Sequence, residues 1–107
     1  QAKPDGVVMP EITITRTDTP SKAAYEARVE GIVEPGELTI SKVSDTLIIA
    51  DHTDVPDSMR GMGVAKAMAD RLIADARAAG QKIIPLCPYV KAQSIKHRDE
   101  WADVIQW

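Results

Sequence analysis

Hydrophobic and polar positions alternate with a period of two through the first half of the chain, then switch to a period near four after residue 60. Glu11-Ile12-Thr13-Ile14-Thr15 alternates polar and β-branched residues, which predicts a short strand. Asp18-Thr19-Pro20-Ser21 is a turn signal. Beyond it Ala23, Tyr25, Ala27 and Val29 share one parity, while Lys22, Glu26, Arg28 and Glu30 share the other. That pattern predicts a half-buried antiparallel strand. Gly31 and Pro35-Gly36 interrupt, Glu37-Leu38-Thr39-Ile40-Ser41 resumes the alternation, and Ser44-Asp45 turns the chain into Thr46-Leu47-Ile48-Ile49-Ala50, an apolar run suited to a central strand.

After Val55-Pro56-Asp57-Ser58 the spacing predicts a helix beginning near Gly61–Gly63 and running to about Ala79. Val64, Met68 and Leu72 recur at four-residue steps, and Ala65, Ala67, Ile73 and Ala76 widen the stripe. Gly80 suits the position just past the helix, where a positive φ costs glycine little. Lys82–Leu86 predicts a short strand that Pro85 ends or distorts. Pro88 fits the first turn of a second helix through about His97, and Trp101, Val104 and Ile105 predict a last short helix. Strands followed by helix, strand and helix, with no internal repeat, predict an α+β (mixed α/β) domain.

Length and composition narrow the function. The 107 residues suit one domain, expected over residues 11–107, with residues 1–10 (two Pro and a Gly) as a flexible arm. An apolar content of 44% with 27% charged residues excludes wholesale disorder. No stretch approaches a membrane span and the N-terminus lacks a leader's apolar core, so we expect no membrane partner and a cytoplasmic location. The single cysteine, Cys87, fits a reducing compartment and excludes a cysteine-cluster metal site. The net charge of −3 is uneven: residues 1–59 hold 5 Lys/Arg against 11 Asp/Glu, and residues 60–107 hold 8 against 5. An acidic chain argues against nucleic acid as a partner. A basic second half admits a polyanionic small molecule.

Arg60-Gly61-Met62-Gly63-Val64-Ala65 carries the most chemistry. Small residues at a loop-to-helix junction let a phosphate approach the backbone, and the free N–H groups of the first turn, with the helix dipole, favour an anion there. Arg60 adds a charge-assisted contact. The hexapeptide lacks the Lys-Ser/Thr of a nucleotide P-loop and the third spaced Gly of a dinucleotide fingerprint. Two glycines that merely break the chain before a helix are the structural alternative.

These residues resemble a known family. Arg60-x-x-Gly63-x-Ala65 is similar to the Gln/Arg-x-x-Gly-x-Gly/Ala motif of the GCN5-related N-acetyltransferase superfamily. His52-Thr53-Asp54-Val55-Pro56 and Pro85-Leu86-Cys87-Pro88 resemble segments of its small stand-alone acetyltransferase-like subfamily, and the likeness covers roughly residues 22–105. It departs at Lys96-His97-Arg98-Asp99-Glu100-Trp101, so His97 receives no role. The resemblance implies a mixed sheet splayed between two central strands and flanked by helices, with acetyl-coenzyme A in the wedge. It implies that backbone around Val55 pairs with the pantetheine arm, that Arg60, Gly61, Met62, Gly63, Val64, Ala65 and Lys66 hold the pyrophosphate, and that Tyr89, Lys91 and Ser94 line the other wall. The implied activity is acetyl transfer from the thioester to a primary amine, by a monomer or weak dimer. A non-catalytic coenzyme A-binding module is the alternative, and a thiol-based carrier using Cys87 a third reading.

Two side chains are candidates for the chemistry. Pro88 starting a helix directly after Cys87 would set the sulfur near the positive end of a dipole, which favours a nucleophilic thiolate. A buried cysteine packing as a small hydrophobe is the structural alternative. His52 is the candidate general base, because histidine exchanges protons near neutral pH. On a strand, Asp51 and Asp54 are expected to point away from its face. Trp101 and Trp107 read as packing residues, and two distant histidines with one cysteine make no metal site.

Overall fold

The computed structural model describes residues 11–107; the arm expected over residues 1–10 lies outside the described residues. Four strands come first: β1 (Ile12–Asp18), β2 (Lys22–Val29), β3 (Gly36–Ser44) and β4 (Leu47–Asp54). A single 3-10 turn at Asp57–Met59 leads to α1 (Val64–Ala79), which is followed by β5 (Lys82–Pro85) and α2 (Pro88–Lys96). The strands form one sheet in chain order, antiparallel up to β4 and parallel between β4 and β5. The expected α+β fold with a mixed sheet is therefore observed.

Alternation decides which face is buried. Ala23, Tyr25, Ala27 and Val29 of β2 and Leu38 and Ile40 of β3 are buried, and pair across the sheet so that their side chains share one face. α1 covers that face with Val64, Met68, Ala69, Leu72, Ile73 and Ala76. Ala65 and Ala67, expected in the stripe, are only half-buried, and Ala69 replaces them. Gly36 lets α1 come this close: a Cβ there would stand 3.2 Å from Val64 Cγ1 and 3.4 Å from the Met68 terminal methyl. The opposite face carries Thr13, Thr15, Glu26, Thr39 and His52, each exposed or half-buried.

One polar cluster ties the edge strand to α1. The fully buried Tyr25 ring brings its hydroxyl out to Asp75, to which it donates at 2.7 Å, while accepting from Arg16 at 2.7 Å. Burial alone would raise the Asp75 carboxyl, but hydrogen bonds from Tyr25, Arg71 and Arg16 outweigh it and hold Asp75 below the usual carboxylate range. Burial and the Asp75 carboxylate push the Tyr25 phenol up.

The C-terminal segment departs from expectation. Residues 98–104 form turns rather than a helix, although Trp101, Val104 and Ile105 are buried as the pattern required. The backbone is drawn instead to the β5 edge: Ile83 N–H donates to Val104 O, and Gln106 N–H to Ile83 O, so residues 104–106 cap that edge in parallel. Trp107, expected to pack, is 58% exposed, with Arg98 over its ring.

Candidate functional site

The segment between β4 and α1 builds a cleft of about 260 Å³ lined by Val55, Pro56, Asp57, Met59, Arg60, Gly61, Gly63, Val64, Ala65, Lys66 and Tyr89. Met59, 1% exposed, anchors the loop in the core, and the 3-10 turn around it reverses the chain. Gly61 and Gly63 then take φ of 80° and 74°, the left-handed region that side chains disfavour. A Cβ at either would meet no atom within 4 Å, so both present bare backbone to open space. The first intrahelical hydrogen bond of α1 runs from Ala67 N to Gly63 O, which leaves the amides of Val64, Ala65 and Lys66 without a helical acceptor. Neither a capping side chain nor a carboxylate in the first turn offsets the positive end of the helix.

The cations at the mouth already have partners. Arg60 donates to Asp57 at 2.7 Å and Lys66 to Asp70 at 2.9 Å. Both pairs are well exposed, so they are worth little and exchange readily for a stronger anion. Tyr89 closes the cleft from α2, and burial raises its phenol, so the ring faces the cleft as a neutral hydroxyl. This donor set suits a diphosphate: amides without a partner among the described residues, two displaceable cations and glycines that permit close backbone approach.

β4 and β5 pair from Leu47–Lys82 to Ala50–Pro85, and Cys87 N–H donates to Ala50 O. β4 then continues to Asp54 without β5 beside it, so the two strands part company at the end that leads to Val55, where the resemblance implied a wedge. That point lies between the fourth and fifth strands, with residues 104–106 beyond β5, rather than between two central strands. A β-bulge is placed at the same point. Ile40 pairs with Ala50 but Thr39 pairs with His52, so Asp51 is an extra residue. The bulge shifts the alternation by one. Thr53 now lies opposite the buried Leu38 on the helix side, and His52 lies opposite Thr39 on the bare side.

The two candidate catalytic residues are therefore not brought together. Cys87 is 1% exposed and does not line the cleft; its Sγ stands 3.1 Å from Thr53 Oγ1. His52 is exposed on the other face of the sheet. Asp54 shares that face through its pairing with Glu37, and Asp51 turns to Ser41 there, accepting its hydroxyl at 2.6 Å. This corrects the expectation that both carboxylates point away from His52: Asp54 is two residues on, and the bulge folds Asp51 outward as well.

Comparison with known proteins places the chain. The model of a family described as GCN5-related N-acetyl-transferase matches residues 24–104. The chain belongs to that family. No curated protein matches it. Among the residues the GCN5-related resemblance assigned to the cofactor, Val55, Arg60, Gly61, Gly63, Val64, Ala65, Lys66 and Tyr89 surround one cleft. Met62 does not; it is half-buried against the core. Ser94 does not either: it is fully buried and its hydroxyl is spent on Val90 O at 2.7 Å, within its own helix. Sequence reasoning drew no attention to Thr53, which meets the Cys87 sulfur, although it stands in the His-Thr-x-Val-Pro segment, and Asp57 and Met59 of the cleft lining carried no signal beyond a turn.

Proposed function

We propose that the domain binds acetyl-coenzyme A in the cleft beneath α1 and transfers the acetyl group to a primary amine. The observation that carries this reading is the junction at Gly61–Lys66: three helical amides without acceptors among the described residues, a first turn free of carboxylates and two left-handed glycines, all at one cleft. The diphosphate would sit on those amides with Arg60 and Lys66, and the pantetheine arm would run along Val55 into the wedge.

The bare sheet face supports a cationic acceptor. Glu26, Glu37 and Asp54 lie directly opposite one another on three adjacent strands. Like charges so arranged repel and favour a cation above them. Glu26 has Arg28 as a partner at 3.1 Å. Asp54 adjoins Val55, so an ammonium held there stands at the wedge, beside the exposed His52 that would take its proton.

Two routes balance. In direct transfer His52 takes one proton from the ammonium, the freed amine nitrogen attacks the acetyl carbon, the thioester C–S bond breaks, and the second proton leaves the nitrogen for the departing sulfur, so coenzyme A leaves as a thiol. In the covalent route Cys87 Sγ first forms the bond to the acetyl carbon and coenzyme A takes up the thiol's proton; the amine then displaces the sulfur, which regains a proton. The burial of Cys87 supports the direct route in the free domain, and its position where β5 leaves β4 supports the covalent one.

Calorimetry with coenzyme A tests the cleft, and acetylation of lysine peptides, polyamines and aminoglycosides tests the acceptor. We expect binding, and turnover with cationic amines. No binding heat overturns the reading. Binding without turnover on any amine leaves a coenzyme A-binding module in its place.

A further inference from the structure

Cys87 occupies the N-cap of α2, where a side chain ordinarily turns to accept hydrogen bonds from its own helix. It makes no such bond. The sulfur points across to β4 instead and meets the Thr53 hydroxyl at 3.1 Å. Thr53 reaches it only because the extra residue at Asp51 shifts the alternation of β4; without the bulge, His52 would take the inward place and Thr53 would face solvent. The pairing thus joins the strand that leads into Val55 to the cap of the helix that carries Tyr89, at the point where β4 and β5 separate.

We propose that Thr53 is a positioning residue for Cys87, holding its sulfur on the wedge side of the sheet. At 3.1 Å either atom can be the donor, and we assign that role to the thiol while its sulfur carries its proton, with Thr53 Oγ1 accepting. When the sulfur is charged, the same hydroxyl turns and donates to it. Valine, with the same shape, does neither; serine does both. The catalytic consequence rests on the acetyl-transfer reading by the covalent route, whereas the contact itself does not.

Two readouts separate these levels. Cys87 is the single cysteine of the sequence, so the S–H stretch in the infrared spectrum of the full chain is one band from one group. Thr53→Val is expected to move that band to the position of an unbonded thiol, while Thr53→Ser leaves it in place. In acetylation assays Thr53→Val is expected to lower kcat about tenfold, the loss of one hydrogen bond to a charged group. Coenzyme A affinity should stay unchanged, and Thr53→Ser should recover most of the rate. An unmoved band in Thr53→Val overturns the thiol as donor and with it the positioning proposal. A moved band with unchanged kcat overturns the positioning role. A wild-type chain that binds no coenzyme A, with the band moved in the variant, overturns the transfer reading alone.

Discussion

Gly63→Ala tests the cleft because it separates backbone strain from ligand contact. Gly63 holds φ of 74°, and an alanine there pays about 1–2 kcal/mol for the left-handed conformation. For a domain of this size each kcal/mol lowers Tm by roughly 4–8 °C. Gly80, at the C-terminal end of α1, has φ of 69° and likewise nothing within 4 Å of an added Cβ, but lies outside the cleft. Gly80→Ala should lose comparable stability and keep its affinity for coenzyme A. Gly63→Ala, in contrast, puts a methyl among the amides that would hold the diphosphate. Removing even one hydrogen bond to a charged group costs about 1.5–3 kcal/mol, so Kd should rise at least about tenfold. Thermal melts and calorimetry on the two variants give both quantities. Equal affinity in Gly63→Ala and Gly80→Ala, with both melting lower, would refute the assignment of the cleft.

Three further outcomes follow from the packing and the charges. Gly36→Val should destabilise by about 1–3 kcal/mol, since its side chain enters space already held by Val64 and Met68; a denaturant midpoint equal to wild type would contradict it. Tyr25→Phe should cost about 1–3 kcal/mol, because Asp75 and Arg16 each lose a partner they cannot replace from solvent as well, and chemical denaturation reads it directly. Acid should unfold the domain in part through Asp75, whose carboxyl is held below its ordinary 3.8. A depressed folded value stabilises above the unfolded one and is lost as pH falls through the folded one. Tm should therefore drop below about pH 4. Asp75→Asn should flatten that part of the curve, and an identical acid limb in the variant would exclude Asp75 as its source.

Where the chain states its own structure locally, the reading transferred almost unchanged. The parity of Ala23, Tyr25, Ala27 and Val29 named the buried face of β2, and the four-residue steps of Val64, Met68 and Leu72 named that of α1. Gly63 and Gly80 marked both ends of the helix because a positive φ selects glycine whatever the rest of the fold does. The C-terminal segment failed for the opposite reason. Trp101, Val104 and Ile105 have helical spacing, but the unpaired backbone of Ile83 offers residues 104–106 a strand-like partner, and no window around residue 104 contains Ile83.

The bulge is the most consequential case of this non-local kind. Ala50-Asp51-His52-Thr53-Asp54 is polar on both parities beyond Ala50, so neither register leaves a local trace, and propensity is indifferent to which of His52 and Thr53 turns inward. The choice is made by β3: Leu38 and Ile40 are both buried, and the residue opposite Leu38 must join the helix side. An imidazole there would have to fit a half-buried place beside the Cys87 thiol, whereas threonine is smaller and its one hydroxyl meets the thiol. The extra residue thus exchanges a bulky half-buried ring for a small paired group. It also leaves His52 on the bare face, where the carboxylates of Glu37 and Asp54 stand opposed. The two faces of one strand end are divided by a single unpaired residue: the thiol–hydroxyl pair, its sulfur buried, lies on one, and an exposed imidazole among acids on the other. A substrate amine arriving over the acids and a thioester arriving through the cleft would meet across that strand.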